Sequence, residues 1–134
     1  MPKCVLIIDD DPAQRRILAE AIKRLGFETK TAEGGSQAIE IMESPEADQV
    51  SLILLDLVMP DMSGHEVLAH LKKINASQPV IVQTANGSID TAIEAMRAGA
   101  SDFVVKPVSM ERLEVSLKNA MKIEALTVEI SRIK

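Results

Sequence analysis

Apolar residues fall along this chain in short unbroken runs that alternate with stretches of helical period. Runs from Cys4 to Ile8, Val50 to Asp56, Pro79 to Thr84 and Asp102 to Lys106 are bounded by turn formers, and such runs read as strands buried on both faces. Phe27 to Ala32 alternates and reads as a further short strand. After the first run, Asp11 is placed to cap a helix with Pro12 in its first turn, and Gly26 stops it. Its spacing puts Ile17, Leu18, Ala21, Ile22 and Leu25 on the inward face. Ser36 is the expected cap of a second helix carrying Ala38, Ile39 and Met42, and Ser44 to Gln49, polar and containing Pro45, reads as a loop. Gly64 to Lys73 is helical, with Val67, Leu68 and Leu71 inward. Asn86-Gly87-Ser88 punctuates the chain before a helix from Ile89 to Ala98, with Ala92, Ile93 and Met96 expected inward and Gly99 as its stop. From Ser109 onward the pattern is helical. Strand then helix, five times over, predicts an α/β domain: a parallel sheet with helices on both faces and right-handed crossovers.

Composition narrows this picture. The 134 residues fit one domain, and 46% hydrophobic content is enough for a real core. With no Trp, no Tyr and two Phe, that core must be aliphatic. A net charge of -5 argues against nonspecific nucleic-acid binding by this segment. The single Cys4 has no partner for an internal disulfide, and the apolar run after Lys3 is too short for a signal peptide or a membrane span, which fits a reducing cytoplasm.

The strand ends carry the chemistry. Leu52 to Leu55 runs straight into Asp56, the first strand ends in Asp9 and Asp10, the fourth in Thr84 and the fifth in Lys106. Taken singly, each has an ordinary reading: Asp9-Asp10-Asp11 as turn and cap, Asp56 as a turn residue, Thr84 as a cap, Lys106 as a solvated lysine. In a parallel sheet, however, all these ends share one edge, where ligands bind. Three carboxylates there repel, by roughly 4 kcal/mol for a pair about 4 Å apart at an effective dielectric of about 20. A Mg²⁺ ion, which needs few protein ligands, and the Lys106 ammonium are the two remedies. With both, Asp56 stays ionised and able to attack phosphorus, giving an aspartyl phosphate whose phosphoryl group Thr84 can hydrogen-bond.

Leu6-Ile7-Ile8-Asp9-Asp10-Asp11-Pro12, Asp56-x-x-Met59-Pro60-x-x-x-Gly64, Thr84-Ala85 and Lys106-Pro107, in this order and spacing, resemble the receiver domain of bacterial two-component response regulators over about residues 3 to 122. The resemblance implies a (βα)5 flavodoxin-like fold with strand order 2-1-3-4-5. It implies that Asp56 accepts a phosphoryl group from a sensor histidine kinase, that Asp10 ligates Mg²⁺ directly with Asp9 acting through water, and that Asp56 and the Val58 backbone carbonyl complete the protein ligands. Lys106 would contact the phosphoryl group, Thr84 would be the switch hydroxyl, Phe103 the switch aromatic, and the Lys106-Pro107 bond cis. Val58 and Asn86 stand where the family tunes acyl-phosphate lifetime, and an apolar Val58 predicts slow self-dephosphorylation. Phe103 has no hydroxyl, which excludes a hydroxyl-dependent switch contact.

Residues 1–122 are thus expected to form the receiver, not an enzyme but a domain that catalyses only its own phosphorylation and dephosphorylation. Residues 123–134 form a helical linker in which Ile123, Leu126, Ile130 and Ile133 make an a/d seam under two heptads long. That seam, with the fourth helix, fifth strand and fifth helix, is the expected homodimer surface. The chain stops mid-helix, which suggests a piece of a longer protein. The Thr91 to Phe103 run looks like NtrC-type activators of sigma-54 polymerase, and so implies a transcriptional output. The alternatives are a constitutive protein-interaction module that keeps the fold without using phosphate, and a Mg²⁺-dependent phosphatase, which would need a second acid where Val58 stands. His65 and His70, five apart on one helix, do not share a face for a metal.

Overall fold

A computed structural model describes residues 3–85 and 87–133, with the backbone alone for residues 123–133. The elements are β1 (Cys4–Ile8), α1 (Pro12–Arg24), β2 (Glu28–Ala32), α2 (Gly35–Met42), a 3-10 turn (Pro45–Gln49), β3 (Leu52–Asp56), α3 (Gly64–Lys73), β4 (Val80–Thr84), α4 (Ile89–Arg97), β5 (Asp102–Val105) and α5 (Met110–Ile133). The strands form one parallel sheet in the order β2-β1-β3-β4-β5, as expected for a flavodoxin-like fold.

Every residue of β1, β3 and β4 is buried, which explains their unbroken apolar runs: the three central strands face helices on both sides. Alternation along them builds two cores. Val5, Ile7, Leu52, Leu54, Ile81 and Val104 pack against Leu18 and Ile22 of α1 and Leu113 and Leu117 of α5. Leu6, Ile8, Ile53, Leu55, Val80 and Val82 pack on the other side, with Ala38 and Met42 of α2, Val67, Leu68 and Leu71 of α3, and Ala95 of α4. Each fully buried Leu or Ile contributes about 2 kcal/mol of transfer free energy, so the central strands dominate the folding drive.

The punctuation works as the sequence predicts. Asp11 accepts from the Ala13 and Gln14 amides, Ser88 caps α4, and Gly26 and Gly99 adopt φ of 97° and 113°. The Lys106-Pro107 bond is cis.

Four expectations are corrected. Ile17 points outward at 61% exposure, because the buried stripe of α1 runs through Leu18 and Ile22. On α4, Ala92 is only half-buried and Ile93 and Met96 face solvent at 42% and 47%; the helix meets the core through Ala95, whose short side chain allows close approach. Ser36 lies within the first turn of α2, whose N-cap is Gly34 and carries no side-chain cap. Ser44 to Gln49 is not a plain loop: Ser44 caps a 3-10 turn there, its Oγ accepting from the Glu46 amide. The side chains of Ile123, Leu126, Ile130 and Ile133, and Asn86 altogether, lie outside the described residues.

Candidate functional site

Alternation sets which way the strand ends project. Asp9 follows Val5 and Ile7, Asp56 follows Leu52 and Leu54, and Lys106 follows Val104, all on the α1/α5 side. Hydrogen bonding confirms the convergence. The Lys106 ammonium donates to Asp56 Oδ2 at 3.1 Å and to Asp9 Oδ2 at 3.4 Å. The Val58 amide donates to Asp56 Oδ1 at 3.2 Å, and the Asp11 amide to Asp9 Oδ1 at 3.0 Å. Arg15 of α1 donates to the Asp9 backbone carbonyl at 2.7 Å, tying the β1–α1 loop to its helix.

Asp9 and Asp56 are buried, whereas Asp10 is exposed, yet each offers a carboxylate oxygen within 4.8 Å of the others. One ammonium therefore serves two of these three acids, Asp56 and Asp9. Burial raises the Asp56 carboxyl above the usual carboxylate range, opposed by the hydrogen bonds from Lys106 and Val58. Burial also pulls on Lys106, in the opposite sense, but its two carboxylate partners outweigh it and hold the ammonium above the ordinary lysine value. The two directions agree physically: the lysine is over-supplied with anions, and the aspartate has only a share of one cation. A divalent cation held among these three carboxylates would offset the imbalance. Carboxylates facing solvent through Asp10 suit Mg²⁺, which keeps several waters and takes few protein ligands.

Thr84, nearly fully buried, ends β4 on the alternation of Val80 and Val82, and so belongs to the α2–α4 side. Phe103 of β5 is half-buried against that same core. The backbone amide of Lys106 donates to the Thr84 carbonyl at 2.8 Å, so the chain leading to the ammonium is hydrogen-bonded to the strand end bearing the hydroxyl. The Val58 side chain stands 75% exposed at the rim. His70 pairs with Glu43 at 3.3 Å, away from these acids.

Two site residues were not singled out from sequence. Gln83, fully buried, donates through Nε2 to Asp9 Oδ2 at 3.4 Å. Its signal was available: a polar residue in a buried run, two past Ile81 and hence on the Asp56 side. Asp61, in the β3–α3 loop, accepts from the Gly35 and Ser36 amides at 3.3 and 3.1 Å and so supplies the cap that α2 lacks. Those amides hold its carboxyl below the usual range. No local signal reveals that bond, which joins residues 25 and 26 apart. A cavity lined by Cys4, Lys23, Phe27 and Glu28 lies at the opposite, amino-terminal edge of the sheet, far from this chemistry.

Comparison with known proteins gives the family to which this fold belongs. The family model described as "Response regulator receiver domain" matches residues 5–118. The regulatory protein AtoC of Escherichia coli (strain K12) is 34% identical over 126 residues, which cover 94% of this chain and 27% of that protein. The luminescence regulatory protein LuxO of Vibrio campbellii is 40% identical over 116 residues, covering 87% of this chain and 25% of that protein. The chain thus spans about a quarter of the length of these curated relatives. Among solved structures, the signal receiver domain of a LuxO repressor protein from Vibrio parahaemolyticus superposes with a TM-score of 0.88 at 31% identity, covering 97% of this chain and 98% of that one. NtrX from Brucella abortus superposes with a TM-score of 0.89 at 29% identity, covering all of this chain and 30% of that one. A chain with this sheet order, and with these acids and this lysine at its carboxyl edge, belongs to the response regulator receiver domain family.

Proposed function

We propose that this domain is a phosphorylation-driven switch in which Asp56 takes a phosphoryl group from a phosphohistidine of a sensor histidine kinase. The observation that carries the reading is the Asp56 carboxylate, held by Lys106 and the Val58 amide with oxygens of Asp9 and Asp10 close by. An Asp56 oxygen forms the bond to phosphorus as the bond from phosphorus to the kinase imidazole breaks. Lys106, already 3.1 Å from that carboxylate, neutralises an oxygen of the group in transit and then of the product. Exposed Asp10, the Val58 carbonyl and Asp56 would hold Mg²⁺, with Asp9 supporting them from behind through water. Bound there, Mg²⁺ supplies charge neutralisation for the phosphoryl oxygens. The Thr84 hydroxyl turns toward the product, and Phe103, in the same core, follows it inward. This shifts an equilibrium between two existing states.

The output is proposed to be transcriptional, exerted through a further part of a longer regulatory protein such as AtoC or LuxO, with residues 123–134 as the linker toward it. The surface proposed to respond, and to pair two copies, is α4–β5–α5. Among the described residues it carries Ile89, Ile93, Met96, Val105, Met110 and Val115, six of the eight large apolar side chains exposed to solvent. No described helix is long and apolar enough to cross a membrane.

Titration with beryllofluoride and Mg²⁺, followed by amide NMR, tests the reading. The expected result is a set of shifts around Asp56, Thr84 and Lys106 that Asp56→Asn abolishes. Shifts that persist in Asp56→Asn, or none in the wild type, refute it and favour a module that works without phosphate.

A further inference from the structure

β4 runs Val80, Ile81, Val82 and then places a glutamine, not a fourth aliphatic residue, in a position with no solvent exposure. Burying a primary amide is unfavourable unless its hydrogen-bonding groups are used. Gln83 uses one: Nε2 donates to Asp9 Oδ2 at 3.4 Å, while Oε1 is buried without a partner among the described residues. The reverse orientation of the amide would set its oxygen against a carboxylate, so the bond also fixes which way the group faces. Gln83 sits in register beside Asp56, on the same side of the sheet as Asp9 and Lys106.

We infer that Gln83 is a positioning residue that holds Asp9 and thereby leaves the Lys106 ammonium to Asp56. Asp9 Oδ2 has two donors, Gln83 and Lys106, both at 3.4 Å, and the same ammonium lies closer to Asp56, at 3.1 Å. A fully buried carboxylate demands donors. With Asp11 on Oδ1 and Gln83 on Oδ2, Asp9 needs only a share of the lysine, at the longer of its two distances. The amide does this with no charge of its own, so it leaves intact the negative field that attracts a cation. Remove its donor, and Asp9 draws the ammonium away from Asp56 and turns from the orientation in which it backs the exposed Asp10.

This inference rests on the reading of Asp56 as phosphoryl acceptor, and its test separates the two. The variant is Gln83→Met, which fills similar space without the donor, compared with wild type for Mg²⁺ affinity by calorimetry, for the rate of Asp56 phosphorylation by acetyl phosphate at saturating Mg²⁺, and for thermal stability by circular dichroism. The expected result is stability equal to wild type or higher, Mg²⁺ affinity weaker by about tenfold, as for outer partners of other metal sites, and a saturated rate lowered several-fold. Mg²⁺ affinity and saturated rate both within about twofold of wild type overturn the inference. So does a drop in stability with both of those unchanged. Should Gln83→Met fail to fold, the wild type decides by NMR. The Gln83 side-chain amide protons are expected to exchange slowly and to shift on Mg²⁺ addition, and exchange as fast as that of exposed Gln37 overturns the inference. A wild type that binds Mg²⁺ but takes no phosphoryl group overturns the acceptor reading instead.

Discussion

The bond from Asp61 to the start of α2 offers the sharpest test of how the β3–α3 loop is held. Gly34, the N-cap of α2, has extended backbone at φ −173°, so its conformation demands no glycine. Space does: a Cβ on Gly34 would lie 2.5 Å from Asp61 Oδ1. Gly34→Ala must therefore push the flexible Asp61 carboxylate off the Gly35 and Ser36 amides. Losing a capping carboxylate costs about 1 kcal/mol, exposure keeping it from the top of the range. For a domain of this size that is a fall in Tm of roughly 3–6 °C. Asp61→Ala should cost the same. The double variant should cost scarcely more than either single one, a coupling of about 1 kcal/mol. The pH dependence follows from the depressed Asp61 carboxyl. Its contribution is present above the unfolded value of about 3.9 and is lost as pH falls through the lower folded value, so wild type and Asp61→Ala converge only in that acid range. With no Trp or Tyr, urea unfolding has to be followed by far-ultraviolet circular dichroism. Additive single-variant effects, or a difference between wild type and Asp61→Ala that is unchanged in acid, would refute the reasoning.

Three further outcomes are expected. Because burial raises the Asp56 carboxyl, ionising it works against folding. The penalty is absent below the unfolded pKa and grows as pH rises to the folded one, so without Mg²⁺ Asp56→Asn should be more stable than wild type at pH 7 and equal to it in acid; urea midpoints at the two pH values check this. Val58→Asn, placing a hydrogen-bonding amide at the rim, should speed loss of the phosphoryl group by about fivefold, the worth of one hydrogen bond of about 1 kcal/mol; an unchanged decay rate counts against it. Ile93→Asp on exposed α4 should leave stability within about 0.5 kcal/mol of wild type yet abolish any beryllofluoride-induced dimer on gel filtration; a variant that still dimerises removes α4 from the interface.

What could be read from sequence follows from what is local. β1, β3 and β4 are buried on both faces, so their apolar runs announce them, and parallel topology alone then brings Asp9, Asp10, Asp56 and Lys106 to one edge. The helix faces were harder to read. A rule that turns large apolar residues inward misplaced Ile93 and Met96, because α4 meets the core through Ala95 and leaves its bulk outside. Ile17 failed in the same way, one position off the stripe through Leu18 and Ile22. Ser36 looked like a cap because it is the residue type that caps, yet the cap comes from Asp61 across a contact that no local rule encodes. Gln83 was legible in principle, since alternation alone put its amide beside Asp56.

The central claim is that the carboxylate at the end of β3 is the phosphoryl acceptor. Intact-mass analysis after incubation with acetyl phosphate and Mg²⁺ tests it most directly. The account predicts one added phosphoryl group on the wild type, none without Mg²⁺ or on Asp56→Asn, and strongly reduced addition on Lys106→Ala. Phosphorylation that survives Asp56→Asn undiminished would contradict it.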